Sequence, residues 1–220
     1  MKRGADLTRM LRKILIVDDH EVVRDGIKSI LAGLPGENVF GDAATAAEAL
    51  KLAADEQWDV AILDISLIGR SGLELLKDLR TLHPALPVLI LTMHSEEQYA
   101  RRAFKAGAAG YLTKGSARTE LVSAVMKITK GGRYVSSALA EKLVLDLGRD
   151  TDQPLHQSLS DREFEVMRLI ASGKTLREIA DFLSLSDKTI STYRARILEK
   201  MGMKTNAELT HYAIANKLVV

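Results

Sequence analysis

The chain contains no cysteine, which excludes a disulfide framework and a thiolate metal site. It also lacks any uninterrupted apolar run long enough to cross a bilayer, so no membrane partner is expected. The basic opening MKRGADLTRMLRK is followed by neither a signal-peptide core nor a small-residue cleavage site, and a cytoplasmic location is the expectation. A large excess of charge of either sign is missing too. A net charge of +2 predicts no partner by itself, so any nucleic-acid surface must arise from local placement of Lys and Arg. There are no long repeats and no low-complexity tracts.

What is present is a folded-protein composition, 46% apolar over 220 residues, enough for one large or two modest domains. Four short apolar runs each end in a polar residue. Ile14-Leu15-Ile16-Val17 leads into Asp18-Asp19, Val60-Ala61-Ile62-Leu63 into Asp64, and Val88-Leu89-Ile90-Leu91 into Thr92. Ala109-Gly110-Tyr111-Leu112 leads to Thr113-Lys114. Continuous branched runs between helical patterns read as strands of a parallel sheet covered on both faces. In such sheets ligands bind outside the carboxyl ends of the strands, so three carboxylates, a hydroxyl and an ammonium converge at one edge.

Residues 12–130 read as five strand–helix units, an α/β domain with a five-stranded, doubly wound parallel sheet of flavodoxin-like type. Within it, Val39-Phe40 gives only a weak second-strand signal. Residues 131–157 carry a short amphipathic helix (Leu139, Leu143, Leu147) and then a polar stretch, and read as a linker. Residues 158–220 show no strand signal and read as an all-α domain of four helices.

Carboxylates of Asp18, Asp19 and Asp64 held close together would repel unless they bind a proton or a cation. A small divalent ion such as Mg2+ suits one or two carboxylates plus a substrate phosphate. With that charge offset, Asp64 can act as a nucleophile toward a phosphoryl group, with Lys114 pairing the product and the Thr92 hydroxyl donating to it. Taken singly, each residue also fits a bland role: helix cap for the acids and Thr92, solvated cation for Lys114, core residue for Tyr111. The combination at four strand ends favours the site.

The paired acids, the Asp64 of AILDISLIGRSGLELL, the Thr92 of LILTMHS and the Lys114 of GAAGYLTKGS resemble the motifs of receiver domains in two-component response regulators. That resemblance implies Asp64 as phosphoacceptor. It implies Mg2+ bound by Asp19 and Asp64, with Asp18 helping through the ion's shell and the main-chain carbonyl of Ser66 completing the ligands. It implies Thr92 and Tyr111 as the switch pair, and a sensor histidine kinase as donor. Two departures stand out. Ile68 occupies a position where the family often has proline, and Gly115 follows the lysine where proline is frequent. The first bears on the lifetime of the phosphorylated state.

In the C-terminal part, Ser160 and Glu163 form a capping-box pattern, and two short helices joined through Leu185-Ser186-Asp187 read as a helix-turn-helix. On a wheel of the helix from Asp187 to Met201, Ile190, Ile197 and Met201 face inward while Lys188, Ser191, Thr192 and Ala195 face out. Lys188, Arg194 and Arg196 supply positive charge, and Thr175 is placed to meet a phosphate at a helix start. An ordinary solvated face is the competing reading. The segment LSDREFEVMRLIASGKTLREIADFLSLSDKTISTYRARILEKMGMKTNAEL resembles the LuxR-type DNA-binding domain, and with the receiver the chain resembles the NarL/FixJ subfamily. This implies a transcription regulator that binds double-stranded promoter DNA as a homodimer, pairing through the helix from about Asn206. Two other readings stay open. One is a phosphatase with an aspartyl-phosphate intermediate, although Ser66 stands where such enzymes generally want a second acid. The other is DNA binding that needs no phosphate.

Overall fold

The computed structural model describes residues 11–93, 97–116, 118–137, 139–141 and 154–219. Five strands, β1 (Leu11–Val17), β2 (Glu37–Ala43), β3 (Val60–Leu63), β4 (Val88–Thr92) and β5 (Gly110–Thr113), form one parallel sheet in the order β2-β1-β3-β4-β5. The order reverses at β1, so the crevice between the carboxyl ends of β1 and β3 is the topological switch point. Helices cover both faces of the sheet, so the inner strands β3 and β4 are buried at every position, with Thr92 at the end of β4 their one polar residue.

One face is closed by α1 (Glu21–Leu31) and α5 (Arg118–Ile128), whose Ile27, Leu31, Leu121 and Val125 pack on Ile14, Ile16, Ile62 and Leu89. The other is closed by α2 (Ala46–Asp55), α3 (Gly72–Leu82) and α4 (Glu97–Lys105). The second strand is longer than the Val39-Phe40 signal suggested. Gly41, a poor strand former, belongs to it because a Cβ there would lie 2.2 Å from the Trp58 ring.

The C-terminal half has a 3-10 turn (Leu155–Ser158) and helices α6 (Asp161–Ala171), α7 (Leu176–Leu183), α8 (Asp187–Met201) and α9 (Asn206–Ala215). The capping box at Ser160 and Glu163 is formed, and a second closes Thr175 with Glu178. Of the expected linker helix, Leu143 and Leu147 lie outside the described residues. Among the described residues, no helix is long and apolar enough to cross a membrane.

The two halves pack together. Tyr99 of α4 meets Phe164 of α6 edge-on, with ring centroids 5.4 Å apart, and both rings are buried. The Arg102 guanidinium stacks 4.2 Å from the Phe164 centroid and donates to the carbonyls of Leu159 and His156 and to Asp161. Lys77 of α3 reaches the same Asp161 at 2.7 Å. The buried cluster on the α2–α4 face therefore continues into the core of the helical half.

Candidate functional site

The strand ends bring the acids together. Asp64 follows β3 directly, and its amide donates to the Val17 carbonyl at the end of β1. Asp18 follows β1, and its amide donates to Ala43 of β2. Both carboxylates are nearly fully buried. Lys114 Nζ lies 2.6 Å from Asp18 Oδ2 and 2.6 Å from Asp64 Oδ2, so the two carboxylates can be no further apart than twice that distance. Burial opposes charge on Lys114, but hydrogen bonds and charge from Asp18 and Asp64 outweigh it and hold the ammonium above its ordinary value.

The backbone fixes these groups. The loop after Asp64 folds back so tightly that a Cβ on Gly72 would lie 1.9 Å from the Asp64 carbonyl oxygen. Gly72 in turn donates to Ile65, and the Ser66 amide donates to Asp64 Oδ1. Thr92 is fully buried at the end of β4, and its carbonyl accepts from the Lys114 amide at 2.8 Å. Thr92 and Lys114 are thus tied across neighbouring strands. Tyr111 is buried in the cluster that also holds Tyr99 and Ala103 of α4.

One neighbour was missed. His20 Nδ1 lies 2.7 Å from Asp19 Oδ1, and Asp18, Asp19 and His20 offer ligand atoms within 4.8 Å of one another. Its place directly after the acid pair was the available signal. Asp19 Oδ1 is buried, and among the described residues its polar neighbour is that ring alone, in poor hydrogen-bond geometry. A buried carboxylate oxygen so weakly satisfied suits a cation ligand. The residues present therefore fit a hard divalent ion.

At the second candidate surface, Ile190, Ile197 and Met201 of α8 are buried. Lys188, Ser191, Thr192, Ala195 and Arg196 are exposed on the opposite side. Arg194 is different. It is half-buried, and its Nε donates to Asn206 Oδ1 at 2.6 Å, so it braces α9 rather than standing free. The Thr175 hydroxyl accepts from the Glu178 amide and donates to the Glu178 carboxylate, and is committed to its capping box. The Thr192 hydroxyl bonds back to the Lys188 carbonyl. An apolar hollow on α9 is lined by Met203, Ala207, His211 and Tyr212, beside the exposed Ile214.

Comparison with known proteins agrees with both halves. Residues 14–126 match the response regulator receiver domain, and residues 157–213 match the bacterial regulatory proteins of the luxR family. The response regulator UvrY of Escherichia coli (strain K12) is 38% identical over 93% of this chain and 94% of its own. The response regulator GacA of Pseudomonas aeruginosa is 38% identical over 94% of this chain and 97% of its own. Among solved structures, the RcsB–DNA complex aligns over 92% of this chain and 98% of its own, with TM-score 0.58 and 26% identity. With both matches, these relatives and the observed fold in hand, the chain belongs to the response regulators of two-component systems that join a receiver to a LuxR-type DNA-binding domain and regulate transcription.

Proposed function

We propose that Asp64 is the phosphoacceptor and that the state of this residue controls how the C-terminal domain engages promoter DNA. Response regulators of this kind take their phosphoryl group from histidine kinases and act as DNA-binding regulators rather than enzymes. The observation that carries the reading is Lys114 held between Asp18 and Asp64 at the switch point of the sheet. In the transfer, an Asp64 oxygen forms the new O–P bond as the P–N bond to the donor imidazole breaks, and the departing ring keeps the electron pair and takes up a proton.

Receiver domains generally use Mg2+. Here Asp18, Asp19, Asp64 and the Ser66 carbonyl would hold it, and the ion would offset charge on the phosphoryl oxygens. Lys114 would exchange its Asp64 contact for the new phosphoryl group, and the Thr92 hydroxyl would donate to it. Tyr111, buried beside α4 residues, would pass the change toward the face that meets α6. We assign the receiver to residues 12–130, the linker to 131–157 and the DNA-binding domain to 158–220. DNA contacts are assigned to Thr175, Lys188, Ser191, Thr192, Arg194, Ala195 and Arg196, with Arg194 positioned by Asn206 and Thr175 by its capping box, and pairing of two copies to the apolar hollow on α9.

The test is incubation with Mg2+ and a small phosphodonor, read by intact-protein mass. The wild type should gain one phosphoryl group and Asp64→Asn none; equal gain by both would remove the assignment. For DNA, promoter affinity should fall steeply with salt, and alanine at Lys188 and Thr192 should weaken it about tenfold or more.

A further inference from the structure

His20 follows the acid pair directly, and the phosphoryl chemistry proposed above leaves its ring without a task. It is the N-cap residue of α1, yet its side chain caps nothing, unlike Ser160 and Thr175 at the starts of α6 and α7. The main chain fixes it instead: the His20 amide donates to Asp18 Oδ1 at 2.9 Å. The ring lies back against the acids, with Nδ1 2.7 Å from Asp19 Oδ1 and 3.4 Å from Asp18 Oδ1. The first approach, although short, is in poor hydrogen-bond geometry, so ordinary pairing does not account for it.

Coordination geometry does. Two atoms at adjacent corners of an octahedron are about 3.0 Å apart when each lies about 2.1 Å from the ion. The separations of 2.7 and 3.4 Å bracket that value. Opposite corners would be about 4.2 Å apart. Ligand atoms of Asp18, Asp19 and His20 all lie within 4.8 Å of one another, so the three fit one shell. The His20 side chain is 69% exposed, so drawing it onto an ion disturbs little packing.

The kind of ion follows from the donor types. Carboxylates, a carbonyl and water suit Mg2+, which gains little from a nitrogen ligand. An imidazole nitrogen favours the borderline ions of the first transition row, more strongly from Mn2+ through Co2+ to Ni2+. We propose that His20 gives this pocket an imidazole ligand, so that it takes a divalent first-row transition ion such as Mn2+, Co2+ or Zn2+ in preference to Mg2+. The inference rests on the reading of Asp18, Asp19 and Asp64 as the cation pocket and adds to it the identity of the ion. Phosphoryl uptake by such a pocket follows the supply of the transition ion as well as that of the donor.

The experiment is isothermal titration of the untagged full chain with Mg2+ alone and with Co2+ alone, at about pH 8, where imidazoles are neutral and can ligate. One saturable site per chain is expected for each ion, with Co2+ held more tightly and both lost in Asp19→Ala. His20→Ala should weaken Co2+ binding about tenfold or more and leave Mg2+ affinity within about twofold. Circular dichroism of each variant reports whether it remains folded. As a direct readout, proton NMR of the cobalt-loaded wild type should show an exchangeable ring N–H shifted far outside the diamagnetic range, absent from His20→Ala. If the wild type binds both ions and His20→Ala keeps the same preference, the proposal fails and the carboxylate reading survives. It fails likewise if the wild type holds Mg2+ more tightly, if the variant weakens both ions equally, or if Co2+ stays bound in Asp19→Ala. A wild-type chain that binds neither ion would remove the cation-pocket reading and this proposal with it.

Discussion

His156 combines a ring packed 5.8 Å from Phe164 with a protonation equilibrium that folding shifts downward, from 6.5 to about 4. The sign of the consequence follows. Above pH 6.5 both folded and unfolded chains carry a neutral ring, and the packed ring contributes its full stability. As pH falls the unfolded chain takes up the proton first, and the contribution is lost progressively down to about pH 4, on the order of 3 kcal/mol in all. His156→Phe keeps an aromatic ring but removes the titration. Its urea midpoint should fall less between pH 7 and pH 5 than that of the wild type. An equal fall in both proteins would mean that other groups govern the acid limb.

The elements are held by short-range devices that single substitutions can remove. Gly72→Ala drives a methyl into the Asp64 carbonyl and should cost about 2 kcal/mol or more, while slowing phosphoryl uptake because the displaced atom belongs to the acceptor's own backbone. Thermal melts and phosphodonor labelling would separate the two effects, and a variant matching wild type in both would show that the loop relaxes freely. Ser160→Ala opens the capping box of α6 and should lower stability by about 1 kcal/mol, read by denaturant unfolding.

Most of this level could be read from the chain, because strand ends, caps and helical faces are local patterns. Asp18, Asp64, Thr92 and Lys114 were placed by four apolar runs, and Ile190, Ile197 and Met201 by a helical period. The length of β2 escaped because Gly41 and Asp42 oppose strand propensity and are overridden by packing against Trp58 and pairing with β1. The bond from Arg194 escaped because its partner, Asn206, sits on another helix, and periodicity within one helix is blind to that.

At the scale of the whole molecule, one arginine ties the halves together through several polar contacts at once. Arg102, 15% exposed, meets a carboxylate, two carbonyls and a ring that all belong to residues 156–164. No local pattern announces this, since the partners are 54 or more positions away. Arg102→Ala should loosen the pair: small-angle scattering should show a larger radius of gyration, and an unchanged curve would show that apolar contact alone suffices. Docking through α4 also suits control, because α4 follows the strand that ends at Thr92.

Docked in this way, the chain leaves Lys188, Thr192 and Arg196 facing water. If these side chains meet DNA as proposed, the docked chain should hold mixed-sequence duplex through counterion release before any phosphoryl group arrives. A signal acting on such a protein would set how long it lingers at a promoter more than whether it gets there.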